Sequence, residues 1–324
     1  MLEHNQEKNM SQKITLREVG LRDGLQIHPT FMPTADKLAW IAAEAAAGMS
    51  EIEVTSYVPP KLIPQFADAE QVTLGALKVP NLIVAALIPN MRGAQRGIEL
   101  GVHKLNFVMS VSETHNMKNV RRPPEDSVTD FKAIVELVKS QPEGKRPIIV
   151  GGLSTALGCS YEGRVAVSQV VKYAKQLVEA GADELVVADT VGYADPNQVR
   201  EVFKAVLSEV GPVIVGAHFH DTRGTGLANV SAALDCGVTH FDASLAGLGG
   251  CPFAPGASGN IVMEDLLFML DSMGLETGVD IEKLIEVRKI ISRSLPDIAM
   301  QGGLAKAGLP RNYVSFAQRL AAAA

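Results

Sequence analysis

The chain has 324 residues, with 36 acidic against 30 basic side chains, a formal charge of −6 and a pI near 5.7. That balance argues against a nucleic-acid binder, which carries a basic face, and no apolar run approaches the ~20 residues of a membrane helix. A hydrophobic content of 47%, a polar start (MLEHNQEKNMSQK) and three cysteines without close spacing predict a globular cytoplasmic protein with no signal peptide and no disulfide framework.

Residues 1–12 read as a flexible tail. Beyond them, short apolar strands alternate with amphipathic helices. Strands are predicted over 14–23, 51–57, 81–88, 104–110, 147–154, 184–190, 213–221 and 240–246. They are rich in Val, Ile and Leu on both faces, as strands buried between two layers are. Helices are predicted over 35–47, 161–180, 197–210 and 227–236, each followed by Gly48, Gly181, Gly211 or Gly237 as a stop. The pieces EAAAGMSEIEV, IELGVHKLNF, VEAGADELVV and LDCGVTHFDA repeat one unit of helix end, glycine and strand. Eight such strands predict an α/β fold, a (β/α)8 TIM barrel over 13–279. A doubly wound sheet is the runner-up, disfavoured because no G-x-G-x-x-G follows the first strand. Residues 280–324 form a C-terminal extension with helices over 280–294 and 309–320, which covers the barrel or joins copies in a homo-oligomer. Two long loops, 111–126 and 247–260, follow the fourth and eighth strands, on the face where barrels place their chemistry.

The first chemical signal is His218-Phe219-His220-Asp221. On a strand, residues i and i+2 share a side, so both imidazoles project together. A paired-histidine face suits a metal ion; one packed and one hydrogen-bonded histidine fits the same spacing. Arg22-Asp23 closes the first strand, and buried charges need partners or a ligand. Asp23 offers a hard oxygen to a divalent ion, against the alternative of a solvated turn. The 247–260 loop is glycine-rich, and Cys251 in its middle is a reachable thiol. Glu53, Thr55, Ser56, Asp189 and Thr190 end other strands as polar residues, either in the site or bonded to a neighbouring arginine. Aspartate, two histidines and further oxygens at one mouth suit six-coordinate Mg²⁺ or Mn²⁺, with Co²⁺ or Zn²⁺ as other divalent ions.

The segments REVGLRDGLQ, EVTSYVPPKLIPQFAD, ALGCSYEG, ADTVGYADP, AHFHDT and AGLGGCPFAPGASGNIVMEDL resemble the 3-hydroxy-3-methylglutaryl-CoA lyase family. This family belongs to the metal-dependent lyase and synthase barrels that share an Asp-Arg-Glu set. The resemblance runs in order from about residue 14 to residue 275. It implies that Asp23, His218, His220 and Asn260 ligate the metal, and that Arg22 stabilises the enolate oxygen. It implies that Cys251 is a catalytic acid or base, and that Glu53, Asp189 and Glu264 organise the site or relay protons. Gln26, Ser56 and Tyr161 would lie near an acyl-CoA substrate. Arg121 and Arg122 of the 111–126 loop either hold its phosphates or are simply solvated. The expected reaction cleaves 3-hydroxy-3-methylglutaryl-CoA, or a related 3-hydroxy-3-substituted acyl-CoA, to acetyl-CoA and a keto acid. The alternatives are a lyase for another branched hydroxyacyl-CoA and a synthase condensing acetyl-CoA with a 2-oxoacid. The sequence departs from the family pattern at Ile27-His28-Pro29 and at Arg223-Gly224-Thr225-Gly226, which bears on the acyl group.

Overall fold

The computed structural model of the chain describes residues 12–249 and 259–323. Most of the tail expected over 1–12 lies outside them. Eight strands form one closed, parallel barrel in sequence order: β1 (Thr15–Glu18), β2 (Glu51–Ser56), β3 (Ile83–Ile88), β4 (Lys104–Ser110), β5 (Ile148–Ser154), β6 (Glu184–Asp189), β7 (Ile214–Phe219) and β8 (His240–Ala243). β1 closes the ring on β8, with Leu16 opposite Phe241. Outward residues such as Leu105, Ile149, Leu185, Val215 and Phe241 are buried beneath the helices, which explains the apolar outer face of the strands, while the inner face carries charges the apolar reading did not anticipate.

The helices stop and start by local chemistry. After the helix Val167–Ala180, Gly181 takes φ 112°, and its amide reaches back to Leu177 and Val178 carbonyls. The helix Pro196–Val210 begins with proline in its first turn, capped by Asp195, whose carboxylate accepts from the amides of Asn197 and Gln198.

Several boundaries differ from the sequence expectation. The first strand ends at Glu18, and Gly20–Gly24 forms a π-helical turn. A Cβ on Gly20 would lie 2.6 Å from Glu18 Oε1, so glycine lets the chain turn tightly over that carboxylate. The eighth strand ends at Ala243 and passes into the 3-10 turn Leu245–Gly247. The loop expected over 111–126 contains the helix Glu113–Val120, capped where Ser112 Oγ accepts from the His115 amide. The helix expected from 161 starts at Val167, because Cys159 and Gly163 exchange backbone hydrogen bonds in a tight turn. Near the C-terminus, helix is confined to Gly303–Ala307 and Phe316–Ala323, with Pro310 in the break. The helix Ile281–Ser294 forms as expected. Asp280 donates its amide to the Ala47 carbonyl, and Gln301 donates its amide to Ala246, so the C-terminal segment lies against the barrel.

Two buried charge clusters lie below the mouth. Inside the barrel, Lys104 Nζ reaches Glu51 (2.8 Å) and Glu184 (3.0 Å), and Arg17 Nε reaches Asp242 Oδ1 (2.6 Å). Each cation is paired with carboxylates, which offsets the cost of burying it, and Arg17 Nη2 is left without a hydrogen-bond partner. Behind the β1 turn, Glu18, Glu44 and Glu264 are each fully buried, and Arg288 pairs with Glu264. Burial, reinforced by the Glu264 charge, pushes Glu44 up to about 8.

This has a consequence for stability. Burial raises the adjacent Glu18 as well, so the folded Glu18–Glu44 pair holds a proton that the unfolded chain releases near 4.5. The stabilisation from that proton is complete below the unfolded value and is lost as pH rises through about 8. Glu44→Gln should therefore flatten the fall of melting temperature between about pH 5 and 8. An unchanged slope would mean that the proton is not on Glu44.

Candidate active site

The turn after β1 turns two neighbouring charges toward the mouth. On a strand, Arg22 and Asp23 would face opposite sides; in the π-helical turn both line one cavity at the C-terminal end of the barrel. Arg22 Nη1 donates to Asp23 Oδ1 (2.6 Å), and its Nε is ion-paired with Glu53 of β2. Glu53 also accepts from Asn106 Nδ2 of β4 (2.8 Å). Burial works against the Arg22 cation, but Glu53 and Asp23 outweigh it and hold the guanidinium charged. Burial would likewise raise the Asp23 carboxyl. Arg22, with help from His220 and His218, holds it well below the usual carboxylate range.

His218 and His220 lie at the end of β7, with rings 5.0 Å apart. Each has its Nδ1 engaged: His218 with Asp242 Oδ2 (3.1 Å) and His220 with the Asp189 carbonyl (3.0 Å). Both Nε2 atoms are thereby left for the cavity. One ligand atom from each of Asp23, His218 and His220 falls within a 4.8 Å cluster. Asn260 joins them, donating from Nδ2 to Asp23 Oδ2 (2.7 Å) and to the Leu248 carbonyl (2.9 Å). Gly249 makes that approach possible: at φ 128°, a Cβ there would lie 2.5 Å from Asn260 Nδ2.

Two buried acceptors in this cluster, His220 Nε2 and Asn260 Oδ1, have no hydrogen-bond partner. His220 Nε2 stands 3.4 Å from Asp23 Oδ2, outside hydrogen-bond geometry. Unpartnered buried acceptors beside an ionised carboxylate fit a divalent metal, and two imidazoles with two oxygen donors are a fitting set.

Other expected site residues lie elsewhere. Asp189 does not face the cavity; its neighbours Ala188 and Thr190 do. Its carboxylate accepts from the amides of Tyr193 and Ala194, while burial raises its pKa. Its carbonyl holds His220, and its carboxylate acts on that imidazole through charge alone. Glu264 also stays out of the cavity: it accepts from the Ala246 amide (2.9 Å) and pairs with Arg288, so it secures the foot of the loop over 247–260. Ser56 Oγ accepts from the Val58 amide (3.2 Å) and does not line the cavity. Gln26 donates to Asp23 Oδ1 (2.9 Å) and orients it. Tyr161 is 41% exposed on the turn after β5, beneath the Lys118 ammonium. Arg122 pairs with Asp130. Cys251 lies outside the described residues.

Two residues of the site were not singled out from the sequence. Asn106 lines the cavity and braces Glu53; Asp242 links His218 to Arg17. A charged residue inside the short apolar strand His240–Ala243 was the available signal for Asp242.

The HMGL-like family model matches residues 13–291. The hydroxymethylglutaryl-CoA lyase YngG of Bacillus subtilis is 42% identical over 283 residues, covering 87% of this chain and 93% of the relative. The human mitochondrial hydroxymethylglutaryl-CoA lyase is 37% identical over 286 residues, covering 88% and 87%. Among solved structures, an HMG-CoA lyase from Acinetobacter baumannii, in complex with coenzyme A and 3-methylmalate, superposes with a TM-score of 0.87. It is 40% identical and the match covers 94% of this chain and 98% of that one.

Proposed function

Because the chain belongs to the HMGL-like family, we infer that it is a carbon–carbon lyase that cleaves 3-hydroxy-3-methylglutaryl-CoA to acetyl-CoA and acetoacetate. The observation that carries this reading is the cluster of Asp23, His218 and His220 beside a buried, charged Arg22. The relatives named above are lyases, so the condensing synthase is not favoured.

The reaction is a retro-aldol cleavage. The C3 hydroxyl loses its proton, the C2–C3 bond breaks, and its electron pair becomes the enolate of acetyl-CoA, which is then protonated at C2. Asp23, His218, His220 and Asn260 would hold the divalent ion, which we propose to be Mg²⁺ or Mn²⁺. When bound, such an ion polarises substrate oxygens as a Lewis acid. Arg22 offers a fixed cation where negative charge develops on the thioester oxygen, the setting in which electrostatic stabilisation is largest. Glu53, braced by Asn106, keeps that cation in place. Gln26 orients Asp23, and Asp242 orients His218.

Cys251 is assigned the proton exchange with the enolate carbon, on its place in the GLGGCP loop. Cys251→Ala should reduce turnover by roughly 10²-fold or more while leaving the affinity for Mn²⁺ unchanged by calorimetry. A fully active variant would refute this role.

No helix among the described residues is long and apolar enough to cross a membrane. We place the protein in the cytoplasm, on its sparse cysteines, of which Cys159 and Cys236 are free among the described residues, a location that fractionation of the native cells would test. The exposed Met273, Val314 and Leu320 of the C-terminal part support a homo-oligomer, which light scattering would measure.

The lyase reading is tested by incubating the protein with 3-hydroxy-3-methylglutaryl-CoA and identifying products by mass spectrometry. Equimolar acetyl-CoA and acetoacetate are expected. Consumption of acetyl-CoA with a 2-oxoacid, and no cleavage, would overturn it.

A further inference from the structure

Two turns meet at the mouth of the barrel. Gly20–Gly24 bears Arg22 and Asp23, and Leu245–Gly247 leads into the loop that ends at Asn260. On the cavity side the two segments touch where Asn260 donates to Asp23. Behind the cavity they are tied again by Glu18, the fully buried last residue of β1. Its Oε1 accepts from the Gly20 amide, and its Oε2 accepts from the Leu245 amide (3.0 Å). Within the second turn, Ala246 takes φ 60° and ψ 13°. An alanine holds this left-handed conformation only where its surroundings impose it. Three contacts impose it here: Glu18 on the Leu245 amide, Glu264 on the Ala246 amide, and the Gln301 amide on the Ala246 carbonyl. Of these three partners, Glu18 also holds the first turn.

We propose that Glu18 is a positioning residue, whose carboxylate ties the turn of Arg22 and Asp23 to the turn of Ala246 and so fixes the spacing of Asp23 and Asn260. The proposal takes the metal site from the lyase reading above. Glu18 does not line the cavity, so it acts on the site through the two amides it holds. Accepting on both oxygens at once is the property of a carboxylate. Glu264 has Arg288 as a counter-ion, whereas Glu18 has amide donors and, beside it, the Glu44 carboxyl, whose two oxygens have no hydrogen-bond partner. Amide donors favour the charged form, so the charge of the Glu18–Glu44 pair belongs on Glu18 and the proton on Glu44. Glu18→Gln keeps the shape of the side chain and loses this property. Its oxygen can serve the Gly20 amide, but its NH2 group then faces the Leu245 amide, donor against donor. The tie between the turns is cut while the side chain keeps its volume.

The experiment uses the full chain as wild type, as Glu18→Gln, and as Glu18→Asp, which keeps the charge but draws the carboxylate back by one methylene. Hydrogen exchange over residues 244–248 of the metal-free protein is read first. The wild type should protect the Leu245 and Ala246 amides without any metal. Rapid exchange there would overturn the proposal, even if neither variant folds. In each folded variant, exchange over 244–248 should quicken at least about tenfold, while the helix Val167–Ala180 stays as in the wild type. Calorimetric titration should then show Mn²⁺ affinity weakened by about 10- to 100-fold, the range for losing a group that orients a metal ligand. At saturating Mn²⁺, kcat should fall by a similar factor, with KM within about threefold of the wild type. A folded variant that melts earlier but keeps its exchange at 244–248, or its Mn²⁺ affinity, would overturn the proposal, since a glutamate that only stabilises the fold gives that result. Exchange and titration need no substrate. Failure to cleave 3-hydroxy-3-methylglutaryl-CoA would therefore defeat the lyase reading and is told apart from a failure of this inference.

Discussion

Asp23→Asn should lower kcat/KM by roughly 10³-fold and weaken Mn²⁺ affinity by at least about 10²-fold. The substitution keeps the shape of the side chain and removes its charge. In the proposed metal site Asp23 would be the negative ligand, with His218, His220 and Asn260 as neutral donors beside it. Its ionised state is enforced by Arg22, which overcomes the effect of burial, so the carboxylate is charged across the working pH range. The amide would present a weaker oxygen and leave Arg22 leaning on Glu53 alone. Isothermal titration with Mn²⁺, together with circular dichroism to confirm folding, checks the outcome. A folded variant with wild-type affinity would remove Asp23 from the metal site.

Arg22→Met should behave differently. We expect kcat to fall by about 10²- to 10³-fold, the range for losing one donor to a developing oxyanion, with Mn²⁺ affinity changed only a few-fold. Methionine preserves much of the buried stem and removes the cation. The variant leaves Glu53 with Asn106 as its remaining polar partner, so a modest loss of stability accompanies the kinetic effect. Lysine is not an equivalent replacement, since Arg22 bonds Asp23 and Glu53 with different nitrogens of one planar group. Steady-state kinetics read beside metal titration separate the two residues. Equal losses of metal affinity in both variants would mean that Arg22 supports the ion rather than the enolate.

The barrel is legible in the sequence because its strands are buried on both faces and its helices end at glycines such as Gly181. The ends are less legible. Val19 and Leu21 continue the alternation of apolar and polar residues begun in β1, and the contact of Glu18 with the Gly20 and Leu245 amides shows that the chain turns there. The short helix Glu113–Val120 is mostly polar and carries no apolar stripe, so it passes for a loop. In the site, period-two alternation brings His218 and His220 together, and the same rule turns Asp189 away, because Ala188 pairs with His218 in the barrel register. Asp242 is a different case: its importance lies in reaching both Arg17 and His218, residues 225 and 24 positions away. No local pattern encodes such a link. The resemblance implies Glu264 near the chemistry; its partners are Arg288 of the helix Ile281–Ser294 and the Ala246 amide, contacts between distant parts of the chain that no local pattern encodes.

The most direct test of the account is to strip the protein with a chelator, supply 3-hydroxy-3-methylglutaryl-CoA, and titrate Mg²⁺ or Mn²⁺ while following acetyl-CoA. The account predicts no cleavage without the ion, and recovery that saturates with one bound ion per chain and is abolished by His220→Ala. Cleavage at the full rate by the stripped protein, or by the His220→Ala variant, would contradict it.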